Sequence, residues 1–312
     1  MEFFFLVSGC LLYRGINPEN HTTNFISETK NVFTKKYLYL IKYHIVGSLF
    51  CFSVYILRDN YTLKRTVVEF FRALPNLFLF QMTGLVQNDL NSIDWYLSVL
   101  CITLLIIYPF LLKHYYLFTD ISGPLIALFI LGYLCRQDDS LAGVEVWNGI
   151  FYKGFLRGFA EILLGGGCFR LSQKIESYEW NRIGKILLTI IECMGYFITL
   201  LYAGITTTHS YDFSILLLLS ISITLTFSQA TYSNKLSINT SVSKFMRSIS
   251  LAIYVCQVGS GMLVEWWCFD MCIVHKLVIY FSILIFIAIM CIIICEKYSK
   301  KISKYVSALL LS

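Results

Sequence analysis

The stretch LVIYFSILIFIAIMCIIIC, residues 277–295, contains no charged side chain. An α-helix rises about 1.5 Å per residue, so about 20 apolar residues cross the roughly 30 Å hydrocarbon core of a membrane. This stretch therefore predicts a transmembrane helix over 272–295. Comparable apolar runs predict further spans near residues 37–57, 93–112, 118–135, 150–172, 185–207, 212–231 and 248–267.

The composition supports the same fold class. Of the 312 residues, 57% are hydrophobic and only 14% are charged, and the mean hydropathy is +0.68. This is too little polar surface for a soluble protein of this length. We predict an all-α polytopic transmembrane helix bundle of about nine membrane segments, organised as one domain over 1–312. The scattered cysteines lack a neighbouring ligand cluster, so no metal site is expected.

The distribution of basic residues predicts how the chain crosses the membrane. The net charge is +6, and the Lys and Arg residues lie mainly in short loops beside apolar runs. This distribution is typical of residues that orient a membrane protein and not of nucleic-acid binding. Residues 66–88 carry Glu69, Arg72 and Pro75, so we expect this segment to be re-entrant or interfacial. Most loop Lys and Arg residues then face one side, which places the basic tail 297–312 in the cytoplasm.

The opening apolar run is short for a membrane span. Phe3 to Tyr13 would form about 16 Å of helix, which cannot cross a bilayer alone. We expect a further helix ahead of it, which would bring both termini to the cytoplasmic side.

Charged residues inside the predicted spans are candidates for function, because they are costly in lipid. Arg157 and Glu161 are four residues apart and therefore share a helix face. They could form a structural ion pair or face a substrate. Glu192 has no oppositely charged neighbour on its own helix, so protonation or pairing with another helix would satisfy it.

His44 is the most deeply placed of the five histidines and is a candidate acid or base, although a hydrogen-bonded structural role is the alternative. Lys35 and Lys36 precede the same span; they could anchor it at the membrane surface or bind phosphates of a cytoplasmic donor. The other histidines lie in loops or at span ends, where solvated or capping roles are expected: His21, His114, His209 and His275.

Five stretches, in order, resemble the integral membrane acyltransferase family 3, the bacterial O-acyltransferases of surface polysaccharides. They are EFFFLVSGCLL (2–12), TKKYLYL (34–40), DWYLSVLCITLLIIYP (94–109), RGFAEILLGG (157–166) and SISLAIYVCQ (248–257). The resemblance implies about ten helices and transfer of an acyl group, commonly acetyl, from acyl-CoA to a sugar hydroxyl. It also implies a general-base His on a first helix, which this sequence does not contain.

The family motifs suggest roles for individual residues. By resemblance, Glu2, Ser8 and Gly9 line that first helix, Lys35 and Lys36 are donor-side cations, and Trp95, Arg157 and Tyr254 are pocket or packing residues. Gln257 stands where many relatives carry His, and glutamine cannot act as a base. No catalytic residue, metal or bound cofactor is assigned. The implied partners are acyl-CoA, a glycan or lipid-linked saccharide acceptor and membrane lipid, in a bacterial inner membrane.

Three hypotheses remain open from the sequence. The first is an O-acyltransferase, active or inactive in this form. The second is a polytopic transporter or glycan flippase. The third is a non-catalytic remnant, in which neighbours of the expected first helix, including Glu2, are exposed to lipid.

Overall fold

The computed structural model describes residues 1–19, 24–85, 90–138, 140–205, 209–235 and 239–310. Almost all regular structure in this part of the chain is helical, with one short hairpin, β1 (Trp147–Asn148) and β2 (Phe151–Tyr152). The helices are α1 (Glu2–Arg14), α2 (Phe25–Arg58), α3 (Leu63–Leu77), α4 (Trp95–Lys113), α5 (Tyr115–Leu117), α6 (Gly123–Asp138), α7 (Lys153–Glu176), α8 (Arg182–Ile205), α9 (Asp212–Phe227), α10 (Thr240–Trp267) and α11 (Ile273–Leu310).

In the part of the chain that the structure describes, each of the eight predicted spans overlaps a helix. Among the described residues, six segments are long and apolar enough to cross a membrane: α2, α4, Tyr115–Gln137, α8, α10 and Ile273–Lys297. Two predicted spans are not among them. α7 carries buried charges, and α9 has only 16 residues. The protein is thus an all-α membrane bundle with several passes, and the number of nine membrane segments stays a prediction.

The described part of the ambiguous segment 66–88 holds most of α3 and a short 3₁₀ turn, Gln81–Thr83, whereas residues 86–88 lie outside the described residues. Thr62 caps α3 by accepting a hydrogen bond from the Arg65 backbone N–H, and the helix ends two residues after Pro75, as expected of a residue that cannot continue the hydrogen-bond ladder. α3 is not one of the six candidate spans. A re-entrant or interfacial position for this segment remains a prediction.

The chain forms two compact units. Unit 1 contains Met1–Phe33 and Val99–Ser237, and unit 2 contains Thr34–Ser98 and Ile238–Ser312. In unit 1, α7 is the central helix: α1, α6 and α9 pack against it, and α8 packs against α9. In unit 2, apolar side chains of α2, α10 and α11 meet in one cluster that includes Val54, Met262 and Ile283.

Glycines allow the closest helix contacts in unit 1. A Cβ added at Gly9 would clash with the Ile162 carbonyl oxygen, and one at Gly165 would clash with the Leu6 carbonyl oxygen. Small residues facing each other permit such close backbone approach in membrane helix pairs. The GGG sequence at 165–167 is therefore partly a packing device, which fixes how α1 lies along α7.

Candidate functional site

Arg157 is the centre of a buried polar cluster in unit 1. Its Nε donates to Glu161 Oε1 at 2.9 Å, its Nη1 donates to the Leu141 carbonyl oxygen at 2.8 Å, and its Nη2 is hydrogen-bonded to Glu2 Oε1. The predicted Arg157–Glu161 pair is confirmed. The fold adds Glu2 of α1 and the loop before α7, so one guanidinium joins three segments of the chain.

The burial of the three charged side chains differs strongly. Glu161 is fully buried, Arg157 is 7% exposed and Glu2 is 34% exposed. A buried charge is tolerated only when it is paired and hydrogen-bonded. Arg157 therefore stabilises a carboxylate on each side, and of these two Glu2 is the one that a ligand can reach.

A cavity of about 260 Å³ adjoins this cluster. Its wall is lined about equally by polar and by apolar side chains. The polar ones are Glu2, Arg157, Thr199, Tyr202, His209 and Asp212. The volume lies just below the roughly 300–1,000 Å³ typical of pockets for drug-sized ligands. It has room for one small group.

Asp212, the first residue of α9, links two other segments that line this cavity, α8 and the loop before α7. Its Oδ2 accepts the Leu141 backbone N–H at 2.9 Å, and its Oδ1 accepts the Tyr202 hydroxyl at 3.0 Å. His209 Nδ1 lies 3.4 Å from the same Oδ2. The Leu141 N–H thus donates to Asp212, and the Leu141 carbonyl oxygen accepts from Arg157. The backbone of Leu141 therefore connects Asp212 with the Arg157 cluster.

A second cavity in unit 1, about 740 Å³, lies between α6, α7 and α9. Its wall is mainly apolar, with Leu164, Leu171 and Leu217 among the lining residues. The Arg170–Asp120 ion pair, 2.7 Å between Nε and Oδ1, lies at its edge. These walls suit an apolar group, and charged and hydroxyl side chains make up a larger share of the lining in the 260 Å³ cavity.

Sequence reasoning missed Tyr202 and Asp212, which no motif singles out. The available signal was the spacing His209-x-x-Asp212, which puts an acid beside an imidazole. His209 itself lies between α8 and α9 and its side chain is 54% exposed, as predicted for a solvated loop histidine. His21, another loop histidine, lies outside the described residues.

Ser8 and Gly9 lie on α1 but are not among the residues that line the cavity. Gly9 is buried against α7, where it allows the two helices to approach closely. Glu2, nearly two turns before them on the same helix, is the α1 residue that contacts Arg157.

His44 lies in unit 2 and is completely enclosed. Its Nδ1 is 2.7 Å from Asp94 Oδ2, and its Nε2 is 2.7 Å from the Asn76 carbonyl oxygen. Ser48 Oγ also donates to Asp94 Oδ2, at 3.2 Å. A carbonyl can only accept, so Nε2 carries a proton. The second proton, shared between Nδ1 and the carboxylate, joins α2 to Asp94.

Trp95 and Tyr254, the other predicted pocket residues of unit 2, surround the same turn. The Tyr254 hydroxyl donates to the Ile93 carbonyl oxygen, and the Asn91 amide donates to the Val255 carbonyl oxygen at 2.9 Å. Trp95 is buried at the start of α4. These contacts hold the turn before α4 against α10, so they indicate packing. Lys35 and Lys36 are exposed on α2.

Glu192 is satisfied by hydroxyl groups rather than by a cation among the described residues. Its Oε1 accepts from Thr226 Oγ1 at 2.7 Å, and its Oε2 accepts from Ser233 Oγ at 2.9 Å. The side chain is buried on α8, and its partners come from α9 and the 3₁₀ turn Tyr232–Lys235. Of the two predicted ways to satisfy this carboxyl group, the structure shows a partner on another helix, α9, and protonation stays a prediction.

Comparison with known proteins gives one match. The model of the acyltransferase family 3, described as an acyltransferase domain, matches residues 1–296. No curated protein and no solved structure matches the chain. The matched range includes the Arg157 cluster, the 260 Å³ cavity and the enclosed His44. The chain belongs to the acyltransferase family 3, a family of membrane acyltransferases.

Proposed function

We propose that this protein is a membrane-bound O-acyltransferase that moves an acyl group, with acetyl expected, from acyl-CoA to a hydroxyl of a cell-envelope polysaccharide or lipid-linked sugar. The observation that carries the proposal is the 260 Å³ cavity, lined in part by charged and hydroxyl groups, beside the Arg157 cluster in a chain of this family. A bacterial inner membrane is the expected location.

The reaction needs little from the protein beyond positioning and proton transfer. The acceptor oxygen attacks the thioester carbonyl carbon, a C–O bond forms, and the C–S bond breaks. The hydroxyl proton ends on the CoA thiolate. Because the thioester is already activated, holding both substrates in reach and supplying a base accounts for most of the expected acceleration.

The cavity offers suitable partners for an acceptor sugar. Glu2 presents a carboxylate that is one third exposed, and Arg157 keeps it in place through the Nη2 contact. Carboxylates and hydroxyls such as those of Glu2, Asp212 and Tyr202 can accept hydrogen bonds from sugar hydroxyls. On the predicted topology this end of α8 and α9 faces away from the cytoplasm.

The donor would approach from the cytoplasmic side. Lys35 and Lys36 are the exposed cations that the family resemblance assigns to the CoA phosphates. An ammonium group binds phosphate through charge-assisted hydrogen bonds. Replacing both with alanine should raise KM for acetyl-CoA about tenfold or more, since a hydrogen bond to a charged group is worth about 1.5–3 kcal/mol. Lys64→Ala, an exposed cation on α3, is the matched control.

Radiolabelled acetyl-CoA tests the proposal directly. Membranes that contain this protein are incubated with [¹⁴C]acetyl-CoA and envelope glycan. We expect label in the glycan that mild alkali removes, as for an ester. If the protein transfers no label while an active family member does so in the same assay, the proposed function is wrong.

A further inference from the structure

We infer that the 740 Å³ cavity of unit 1 binds one anionic phospholipid, with its phosphate beside Arg170 and Lys174 and an acyl chain between α7 and α9. This inference goes beyond the proposed acyl transfer, and its test does not require that activity. Both cations and a mainly apolar set of side chains line the same cavity. A ligand with a negatively charged head and a hydrocarbon chain matches both parts of this lining.

The wall is apolar where an acyl chain would lie. Leu171 of α7 and Leu217 and Ile221 of α9 line the cavity, and each is at least half exposed. Lipid tails are as apolar as leucine. An acyl chain can therefore contact these side chains without breaking any hydrogen bond.

The hydroxyl groups of this wall are already bonded within the protein. Ser220 Oγ donates to the Leu216 carbonyl oxygen, and Thr224 Oγ1 donates to the Ser220 carbonyl oxygen, both at 2.8 Å. Thr119 Oγ1 donates to the Tyr116 carbonyl oxygen at 3.3 Å. A hydroxyl group has one proton to donate. A sugar or another polar ligand would therefore find few donors along this wall.

Two cations come from the last two turns of α7. Arg170 Nε and Nη2 donate to Asp120 at 2.7 and 3.2 Å, and its Nη1 donates to Gln173 Oε1 at 3.1 Å. A guanidinium has five N–H donors, so two of them are not engaged by the described residues. Lys174 is exposed and makes no hydrogen bond or ion pair with any described residue. Asp120 offsets one of the two positive charges in the lining, and one remains for a phosphate.

The length of the cavity matches one leaflet of a membrane. Its lining on α7 extends from Leu164 to Ile175, which is about 17 Å of helix at about 1.5 Å per residue. Half of the hydrocarbon core of a bilayer is about 15 Å. An acyl chain that starts near Lys174 and ends near Leu164 would therefore cover one leaflet.

Aromatic side chains mark the cationic end as the level of a membrane surface. The Arg170 Cζ lies 5.4 Å from the centroid of the Tyr116 ring, and Tyr178 and Trp180 follow the end of α7, with ring centroids 4.9 Å apart. Tyr and Trp collect where a membrane meets water. On the topology predicted from the charge distribution this is the cytoplasmic surface, where anionic lipids attract basic residues.

Native mass spectrometry of the delipidated protein tests the preference for an anionic head. Phosphatidylglycerol and phosphatidylcholine with identical acyl chains are titrated separately, and an apparent Kd is measured for each. We expect phosphatidylglycerol to bind about fivefold or more tightly, the effect of one basic residue near a membrane surface. Lys174→Glu should abolish this preference. Arg182→Gln, at an exposed position at the start of α8 outside the cavity lining, should keep it.

A second pair of variants tests the apolar part of the site. Leu217→Trp places an indole ring in the cavity, so binding of both lipids should be lost. Leu200→Trp is the matched control, because Leu200 is exposed on α8 and does not line the cavity. All four substitutions lie at exposed positions, and an unchanged Tm shows that each variant is folded.

Three results would overturn the inference. The first is equal binding of the two lipids by the wild type, and the second is a wild-type preference retained in Lys174→Glu. The third is displacement of the bound lipid by glycerol 3-phosphate or acetyl-CoA, because the site would then belong to a soluble phosphate compound. Binding is measured without acyl transfer, so failure of the proposed function would leave this inference standing.

Discussion

Removing the positive charge at the centre of the Arg157 cluster should destabilise the protein strongly. In Arg157→Met the fully buried Glu161 loses its cation, and the Leu141 carbonyl oxygen loses its donor. Breaking a buried ion pair by removing one partner costs about 3–5 kcal/mol. This corresponds to roughly 150- to 5,000-fold in the unfolding equilibrium constant.

A double-mutant cycle tests whether the cost comes from the stranded carboxylate. Glu161→Gln alone leaves Arg157 with Glu2 and Leu141, so we expect a loss of about 1.5–3 kcal/mol, the value of a hydrogen bond to a charged group. In the double variant the buried group is neutral. The double variant should therefore be more stable than Arg157→Met alone, although it carries one more substitution.

The assay is thermal unfolding of the detergent-purified protein, followed by tryptophan fluorescence. A loss of 3–5 kcal/mol should lower Tm by about 6–20 °C, at about 2–4 °C per kcal/mol for a chain of this size. Arg170→Met is the control, because it breaks the Arg170–Asp120 pair, whose side chains are 28% and 40% exposed. Exposed pairs contribute about 0–1 kcal/mol. If Glu161→Gln does not relieve the loss in Arg157→Met, the reasoning from a stranded charge is refuted.

Three further changes test the packing and the other buried polar groups by the same thermal assay. Gly165→Ala should lower the free energy of unfolding by about 1–3 kcal/mol, because the added Cβ meets the Leu6 backbone. Gly167→Ala is the control and should be neutral or slightly stabilising, because the nearest neighbour of its Cβ would be 4.0 Å away. Equal effects of the two substitutions would contradict the packing argument. His44→Gln should lower the free energy of unfolding by about 1–3 kcal/mol, because the buried Asp94 carboxylate and Asn76 carbonyl oxygen would be poorly paired. Lost activity at an unchanged Tm would instead indicate a catalytic role. Glu192→Gln should lower the free energy of unfolding by about 1–3 kcal/mol, because a carboxamide has one acceptor oxygen where the carboxylate has two. The control Glu265→Gln, at an exposed position of α10, should leave the stability unchanged.

The membrane helices were predictable because lipid burial depends on the sequence itself. A run of apolar residues identifies the part of a helix that lies in hydrocarbon, whatever its neighbours are. It does not identify the ends. α2 begins at Phe25 instead of residue 37, and α10 at Thr240 instead of residue 248, because a helix continues into polar surroundings where hydropathy gives no signal.

The candidate site was only partly predictable. Arg157 and Glu161 share one helix, so a spacing of four residues was sufficient to pair them. Glu2 and Asp212 come from other helices, and Leu141 from a loop, so their contacts depend on packing that single-chain spacing does not encode. The close approach of α1 to α7, made possible by Gly9 and Gly165, is what brings Glu2 to the guanidinium.

His44 shows why depth in the membrane is a weak guide to catalysis. A deeply placed imidazole has no water to bind, so folding must satisfy both of its nitrogens, as Asp94 and the Asn76 carbonyl oxygen do for His44. That satisfaction removes the free nitrogen that a base needs. A catalytic imidazole instead requires one fixed nitrogen and one nitrogen that is open to the substrate. Depth in the membrane therefore predicts that a histidine is hydrogen-bonded on both nitrogens, and not that it can transfer a proton.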